Sequence, residues 1–192
     1  LVSFQPATGA MKVYTTANGL LGEQFNYRSS FETEDGTIYL GSIDGFVAFN
    51  PKNFSENKSL PSIVITDFLL FGKEVYPGDP SSPLKKSINF LDELVLQPDQ
   101  NSFSFRVAAL DFQAPRMNQI MYKLDGFDDE WLPVGESPVV SYSNLWYGNY
   151  TFRVKASNSD GVWNENEVSL IVRILPPFYL TIWAYCVYVL LI

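Results

Sequence analysis

A short acidic turn is the part of the sequence whose residue types could do chemistry. Residues 125–130 hold four carboxylates, Asp125, Asp128, Asp129 and Glu130, directly before Trp131. A glycosidase would place two carboxylates on opposite sides of a cleft, and calcium would need several converging oxygen ligands. The spacing misses that of an EF-hand loop, and acids crowded beside a turn are typical of a solvated loop. We therefore assign no catalytic residue here, and calcium binding stays open as an alternative.

Most other chemistry is excluded by residues that the sequence lacks. Histidine is absent, and Cys186 is the one cysteine, so no Ser/His or Cys/His nucleophile and no zinc site can be built from this chain. The formal charge of −8, without a cluster of Lys and Arg, excludes nucleic acid as a partner. We predict a chain that is not itself an enzyme, and we assign it no cofactor and no metal.

Aromatic side chains in or beside predicted loops offer a second candidate surface. These are Trp131, Trp146, Tyr147 and Trp163. They could stack on a sugar, but tryptophan also commonly closes the end of a β-sandwich. The structural role is the favoured interpretation.

The elements that would position these residues are strands. Tyr150, Phe152, Val154 and Ala156 alternate with polar residues, and residues 168–174 repeat the pattern. A period of two with one apolar face is typical of an antiparallel sheet packed on one side. About seven such segments between residues 60 and 175 predict a two-sheet sandwich.

One strand and its preceding corner carry a recognisable spacing. Leu145, Gly148, Tyr150, Ala156 and Gly161 fall within the pattern L-x-x-G-x-Y-x-F-x-V-x-A-x-N-x-x-G, which resembles the F-strand region of fibronectin type III modules. The glycine permits a tight corner, and the tyrosine can bury its ring while its hydroxyl bonds to the backbone. These roles are structural.

The N-terminal part, residues 1–55, contains a short internal repeat. Residues 2–6, VSFQP, return as VAFNP at residues 47–51, a spacing of 45 residues that fits a four-stranded propeller blade. The alternative is a coincidental β-meander. One blade cannot bury both of its faces, so we expect further blades upstream.

The C-terminal part, residues 176–192, begins with Pro176-Pro177 and then has no charged residue. The aromatic residues Phe178, Tyr179, Trp183 and Tyr185 are typical of a membrane interface. The run is shorter than the roughly 20 residues of a full span. We predict a juxtamembrane segment followed by the start of a transmembrane helix near residue 178, and the alternative is a buried terminal strand.

Three sets of residues in this order resemble one family. Part of the resemblance lies in residues 122–131, with Tyr122, Leu124, Gly126 and Trp131, and in residues 140–145, with Tyr142. The other residues that carry it are Gly148, Tyr150, Gly161, Trp163, the junction at residues 176–183, and residues 36–51. Together they resemble the Y_Y_Y domain of hybrid two-component sensors of Bacteroides-type bacteria, preceded by the last blade of a two-component regulator propeller.

The resemblance implies a fold, a role and partners. It implies an all-β chain: part of a β-propeller (residues 1–55), an immunoglobulin/fibronectin III-like β-sandwich (60–175) and the start of a transmembrane helix (176–192). It implies a periplasmic sensor fragment at the inner membrane that relays the binding of an oligosaccharide, held mainly by other blades, to a cytoplasmic histidine kinase. Two sandwiches would pair in a homodimer.

Two alternatives from other classes remain. The chain could be a carbohydrate-binding fibronectin-like accessory module of a secreted enzyme, or a part of a cell-surface adhesin. Apolar residues followed by Lys and Arg beyond Ile192 would exclude the first, and further sandwich repeats upstream would favour the second.

Overall fold

The computed structural model describes residues 1–54 and 57–190, which form two compact units. Unit 1 comprises Leu1–Ser59, Asp111–Asn118 and Asn158–Val162. Unit 2 comprises Leu60–Leu110, Gln119–Ser157 and Trp163–Ile192. Two segments that the sequence placed in the sandwich therefore belong to unit 1, where their polar side chains find hydrogen-bond partners.

Unit 1 contains five strands in its described part. They are β1 (Val2–Gln5), β2 (Ala10–Val13), β3 (Phe25–Glu32), β4 (Ile38–Ser42) and β5 (Gly45–Phe49). β1 and β2 form an antiparallel hairpin, and β3, β4 and β5 form an antiparallel sheet in that order. The two copies of the repeat thus fall on strands β1 and β5. The propeller assignment stays a prediction.

Unit 2 contains nine strands in its described part, arranged in two sheets. They are β6 (Ser62–Leu70), β7 (Lys73–Glu74), β8 (Glu93–Leu96), β9 (Phe103–Leu110), β10 (Gln119–Asp125), β11 (Leu132–Pro133), β12 (Val139–Tyr142), β13 (Gly148–Ser157) and β14 (Val168–Ile174). One sheet has the order β11-β10-β13-β14-β8, and the other has the order β12-β9-β6-β7. All neighbouring strands are antiparallel except β8 and β14, which are parallel. This pair departs from the antiparallel prediction.

The two sheets share one apolar core because alternate residues of their strands point inward. The rings of Phe105 on β9 and Phe152 on β13 stack across the sheets with centroids 4.4 Å apart, and both side chains are fully buried. Leu124, Val154 and Val172 are also fully buried. The all-β prediction is confirmed, and the immunoglobulin/fibronectin III-like assignment stays a prediction.

The C-terminal segment is helical, but the helix begins later than predicted. Phe178–Leu180 form a single 3₁₀ turn, and α1 spans Ile182–Leu190. Between them Thr181 is extended, with φ −84° and ψ 156°, so the helix starts at Ile182 and not near residue 178. Within residues 1–54 and 57–190, none of the helices combines the length and the apolar character that a membrane crossing requires.

Candidate functional site

Strand β14 is an interior strand of its sheet, and it leads directly to the C-terminal segment. It is hydrogen-bonded to β13 on one side and to β8 on the other. Leu170, Val172 and Ile174 point into the core and are buried. On the outer side, Arg173 Nε donates to Glu93 Oε1 at 2.8 Å. The last strand before the C-terminal segment is therefore hydrogen-bonded on both edges and packed into the core on one face, and its outer face carries the Arg173–Glu93 ion pair.

The segment after β14 is a short junction followed by an apolar helix. The Leu175 N–H donates to the Leu96 carbonyl at 2.9 Å, and Pro176-Pro177 then has no N–H to continue the ladder. The Thr181 hydroxyl donates to the Phe178 carbonyl at 2.6 Å and closes the 3₁₀ turn. The prolines fix two backbone angles, so the junction is stiff.

Apolar side chains beyond the junction face outward. Phe178 and Trp183 are each 82% exposed, and Ile182 and Leu190 are more than four-fifths exposed. The rings of Phe178 and Tyr179 meet edge to face at 5.5 Å. Exposed apolar area of this kind marks an interaction surface for a partner or a membrane.

The corner before β13 lies on the same side of unit 2 as the junction. A cavity of about 180 Å³ is lined by Asn101, Asn144, Trp146, Pro177 and Tyr179, among others. The Tyr150 hydroxyl donates to the Trp146 carbonyl at 2.9 Å, which is the backbone bond that the sequence predicted for this tyrosine.

Gly126 has a specific reason to be glycine. Its φ is +94°, and a Cβ there would lie 3.2 Å from Tyr150 Cδ1 and 3.4 Å from the Asn149 carbonyl oxygen. The left-handed conformation disfavours other residues, and the ring of Tyr150 leaves little room for a side chain. The acidic turn is therefore packed closely against the start of β13.

Two of the four carboxylates of the acidic turn, Asp125 and Asp128, serve the fold. Asp128 Oδ2 accepts from the Leu124 N–H at 2.8 Å and from the Tyr142 hydroxyl at 2.8 Å. Asp125 pairs with Arg153 at 3.3 Å and with Lys123 at 3.6 Å. Across the described residues, no group of three or more His, Cys, Asp or Glu side chains could hold a metal ion. Calcium binding, left open by the sequence, gains no support from this geometry.

The loop tryptophans differ in their surroundings. Lys155 Nζ lies 4.4 Å from the Trp131 ring centroid and 5.5 Å from that of Trp163, so both indoles pack around a lysine on the outer side of the β13 sheet. Trp146 is 69% exposed and lies 5.4 Å from the Tyr147 ring. Of these three tryptophans, Trp146 has the most exposed side chain.

The other residues predicted for the structural motif fall into two groups. Leu124, Tyr142, Leu145 and Ala156 are buried in the core of unit 2, and Tyr122 packs edge to face on Tyr142 at 6.3 Å. Gly148 begins β13, and Gly161 lies in a segment of unit 1 with φ +79°.

A polar network in unit 1 was missed by sequence reasoning. The Asn57 side-chain amide donates to Asp111 at 3.0 Å, and the Asn158 amide donates to the Asn57 carbonyl at 2.5 Å. Asp160 accepts from Lys12 at 2.5 Å and from the Asn57 N–H at 2.7 Å. Burial opposes the charge of Asp160, but these two hydrogen bonds outweigh it and lower its pKa. The network fixes residues 158–162, which join β13 to β14 along the chain.

The buried Tyr142 hydroxyl leads to a testable prediction about how the stability of the fold depends on pH. Burial, reinforced by the hydrogen bond to Asp128 and its negative charge, raises the pKa of Tyr142 far above its ordinary value. The unfolded chain loses this proton above about pH 10, whereas the folded chain keeps it. Because the folded pKa is the higher one, the stability is complete below about pH 10 and falls as the pH rises, by about 1.4 kcal/mol per pH unit from this group.

Tyr142→Phe is expected to remove that part of the pH dependence. It should also lower the free energy of unfolding near neutral pH by about 1 kcal/mol, because Asp128 loses one donor. Urea unfolding followed at a series of pH values measures both effects. Tyr147→Phe, which takes a hydroxyl from a ring at the surface, is the matched control. Equal alkaline slopes for wild type and Tyr142→Phe would contradict the prediction.

Comparison with known proteins finds a matching family and a related histidine kinase. The Y_Y_Y domain matches residues 111–175. All 192 residues align with histidine kinase P4 of Formosa agariphila at 32% identity, and the chain spans 14% of that protein.

Two solved structures from B. thetaiotaomicron are also similar. The extracellular domain of BT3049, assigned to the hybrid two-component systems, shares 27% identity and a TM-score of 0.69 over 88% of this chain and 23% of that one. The extracellular domain of BT4673, assigned to the one-component systems, shares 25% identity and a TM-score of 0.57 over 92% of this chain and 23% of that one. The chain therefore spans less than a quarter of the length of these relatives.

Proposed function

Because this chain carries a Y_Y_Y domain and is related to the extracellular domains of two-component sensors, we propose that it is the membrane-proximal part of such a sensor. In this role unit 2 receives a conformational change from the ligand-binding part of the protein. It passes that change through β14 and the proline junction to a membrane helix and then to a cytoplasmic kinase.

The observation that carries the proposal is the continuity of β14 with the exposed apolar segment. Val172 and Ile174 are buried in the core. Only Leu175, Pro176 and Pro177 separate Ile174 from Phe178, and Phe178 and Trp183 are each 82% exposed. A relay needs a rigid element whose position differs between two states. A strand fixed by the core and joined to a helix through a stiff junction meets the mechanical requirement.

A relay role also suits the polar groups of the chain. The sequence has no histidine, and two of the four carboxylates of the acidic turn, Asp125 and Asp128, are used as hydrogen-bond acceptors or ion-pair partners within the fold. The kinase activity would therefore reside in another part of the full-length protein, as the name of the Formosa relative suggests.

Ligand binding is proposed to lie mainly in propeller blades outside this chain. Unit 1 exposes large apolar side chains that include Tyr27, Phe31 and Phe46. A repeat unit buries such faces against its neighbours, which favours further blades beside this one. An oligosaccharide is the proposed ligand class, on the strength of the family resemblance.

The proposed location is the periplasmic side of the inner membrane. Helix α1 begins at Ile182, and its described side chains are apolar and largely exposed. The residues from 174 to 192 carry no charge, as the hydrocarbon region requires.

The proposed partner of unit 2 is a second copy of the chain. A dimer gives the relay its two states, because two sandwiches can change their mutual arrangement without refolding. We expect the purified extracellular part of the full-length protein to show dimer formation in sedimentation equilibrium over a range of concentrations. An extracellular part that stays strictly monomeric, with and without polysaccharide hydrolysates, would contradict the dimer.

A further inference from the structure

One end of unit 2, here called the junction end, is formed by residues 98–101, 144–147 and 175–179. These three segments meet around the cavity of about 180 Å³ beside Pro177. The first precedes β9, the second precedes β13 and the third follows β14. The apolar helix α1 leaves the fold from the third segment, so the other two lie next to its starting point.

The loop that carries Trp146 is held firmly. The Leu145 N–H donates to the Asn101 carbonyl at 3.1 Å, and the Leu145 side chain is buried. The Asn144 N–H donates to the Ser102 hydroxyl at 3.1 Å, and the Tyr150 hydroxyl fixes the Trp146 carbonyl. Trp146 is nevertheless 69% exposed. The fold therefore presents a large indole outward from a fixed backbone.

The three segments that form the junction end carry little charge themselves. Residues 138–150 and 174–192 contain no Asp, Glu, Lys or Arg, and Asp99 is the charged residue of the remaining segment. The acidic turn at residues 125–130 adjoins this end, because Gly126 lies against Asn149 and Tyr150 at the start of β13, so the uncharged surface is limited to these three segments. Within these segments, the exposed tryptophan and tyrosine side chains are of the kind that favours the zone between lipid headgroups and acyl chains.

We propose that Trp146, with Tyr147 beside it, inserts into the interfacial zone of the bilayer, so that the junction end rests on the membrane surface. The occupant is a lipid surface because Trp146 lines the same cavity as Pro177 and Tyr179, which lie in the segment that leads into the exposed apolar residues Phe178 and Trp183. This inference rests on the proposed function. It adds a second contact that limits how far unit 2 can tilt about its junction.

Tryptophan fluorescence tests the contact, since the chain has four tryptophans, at positions 131, 146, 163 and 183. Three variants each keep one indole, Trp146, Trp183 or Trp163, and replace the others by phenylalanine. Each 192-residue variant is reconstituted into phosphatidylcholine vesicles with and without lipid brominated near the top of its acyl chains. Circular dichroism checks that each variant is folded.

Trp163 is the internal control because it lies at the opposite end of β13. It bridges to Ser157, the last residue of that ten-residue strand, and a strand of this length spans about 30 Å. We expect brominated lipid to reduce the emission of Trp146 to an extent comparable with Trp183, and to leave Trp163 unchanged.

The other outcomes separate the two proposals. Quenching of Trp183 without quenching of Trp146 would overturn this inference and leave the membrane anchor intact. Absence of quenching for both would overturn the anchor as well. A blue-shifted Trp146 that bromine does not quench would place the indole under protein, such as a second copy of the chain, and would overturn the lipid contact. Equal quenching of Trp163 would do the same.

Discussion

Replacing Phe152 by alanine is expected to lower the free energy of unfolding of unit 2 by about 3–5 kcal/mol. The side chain is fully buried, and its ring stacks on Phe105 at 4.4 Å and meets Tyr142 at 6.5 Å. The substitution removes apolar area and leaves a cavity between the two sheets, which close packing cannot refill without strain.

Urea unfolding followed by tryptophan fluorescence measures this loss. All four tryptophans belong to unit 2, so the signal reports that unit. Phe90→Ala removes the same side chain from a site that is 71% exposed, and it should change the stability by no more than about 0.5 kcal/mol. A loss below about 1 kcal/mol for Phe152→Ala would mean that the sheets are not joined through this ring.

The strands of unit 2 were predictable from the sequence because their periodicity is strong. The inward residues of β13 and β14 alternate with polar ones, and the structure buries Phe152, Val154, Leu170 and Val172 as predicted. The bond from the Tyr150 hydroxyl to the backbone was also predictable, since the spacing of Leu145, Gly148 and Tyr150 is typical of a tight corner closed by such a bond. These features depend on local pattern, which one sequence displays in full.

The pairing of β8 could not be predicted in the same way. Its residues Leu94-Val95-Leu96 form a short apolar run that indicates a strand. A run of this kind carries no information about the direction of its neighbour. Its partner β14 starts more than seventy residues later in the sequence, at Val168, and the parallel register follows from the tertiary structure.

The roles of single polar residues were equally hidden. Asp128 was one of four carboxylates in a turn, and its bond to the Tyr142 hydroxyl depends on packing between that turn and β12. Asn57 and Asn158 are 101 positions apart and meet through one hydrogen bond. Such contacts leave no periodic signal, so sequence reasoning assigned the acidic turn to solvent and missed the network of unit 1.

The start of helix α1 illustrates how local chemistry shifts an element boundary. The apolar run predicted a helix from about residue 178, but Pro177 precedes a single 3₁₀ turn and Thr181 is extended. The extended Thr181 separates the 3₁₀ turn that contains Phe178 and Tyr179 from the helix proper. In the proposed relay, this segment is the point at which movement of β14 becomes movement of α1.

The second large effect, a loss of the kinase response, is expected when the connection between β14 and α1 is made flexible. A Gly-Ser-Gly-Ser insertion between Pro176 and Pro177 in the full-length protein replaces a stiff connection by a flexible one. Because the ladder of β14 ends at Leu175, unit 2 should fold as before and keep its urea midpoint. The response of the kinase should be lost, because a displacement of β14 would be absorbed by the linker.

A matched control is available in the exposed loop between β11 and β12. The same insertion between Gly135 and Glu136 lengthens the chain equally, and a Cβ at Gly135 would meet no atom within 4 Å. This variant should fold and signal as wild type does. It separates the effect of flexibility at the junction from that of added length.

The measurement that tests the relay most directly is kinase autophosphorylation in membranes carrying wild type, the junction insertion or the control insertion. The stimulus is the polysaccharide hydrolysate, chosen from a panel, that raises autophosphorylation of wild type. We predict that the junction insertion abolishes the increase while the control insertion and the wild type show it equally. A junction variant that responds as strongly as wild type would contradict the relay through β14 and Pro176-Pro177.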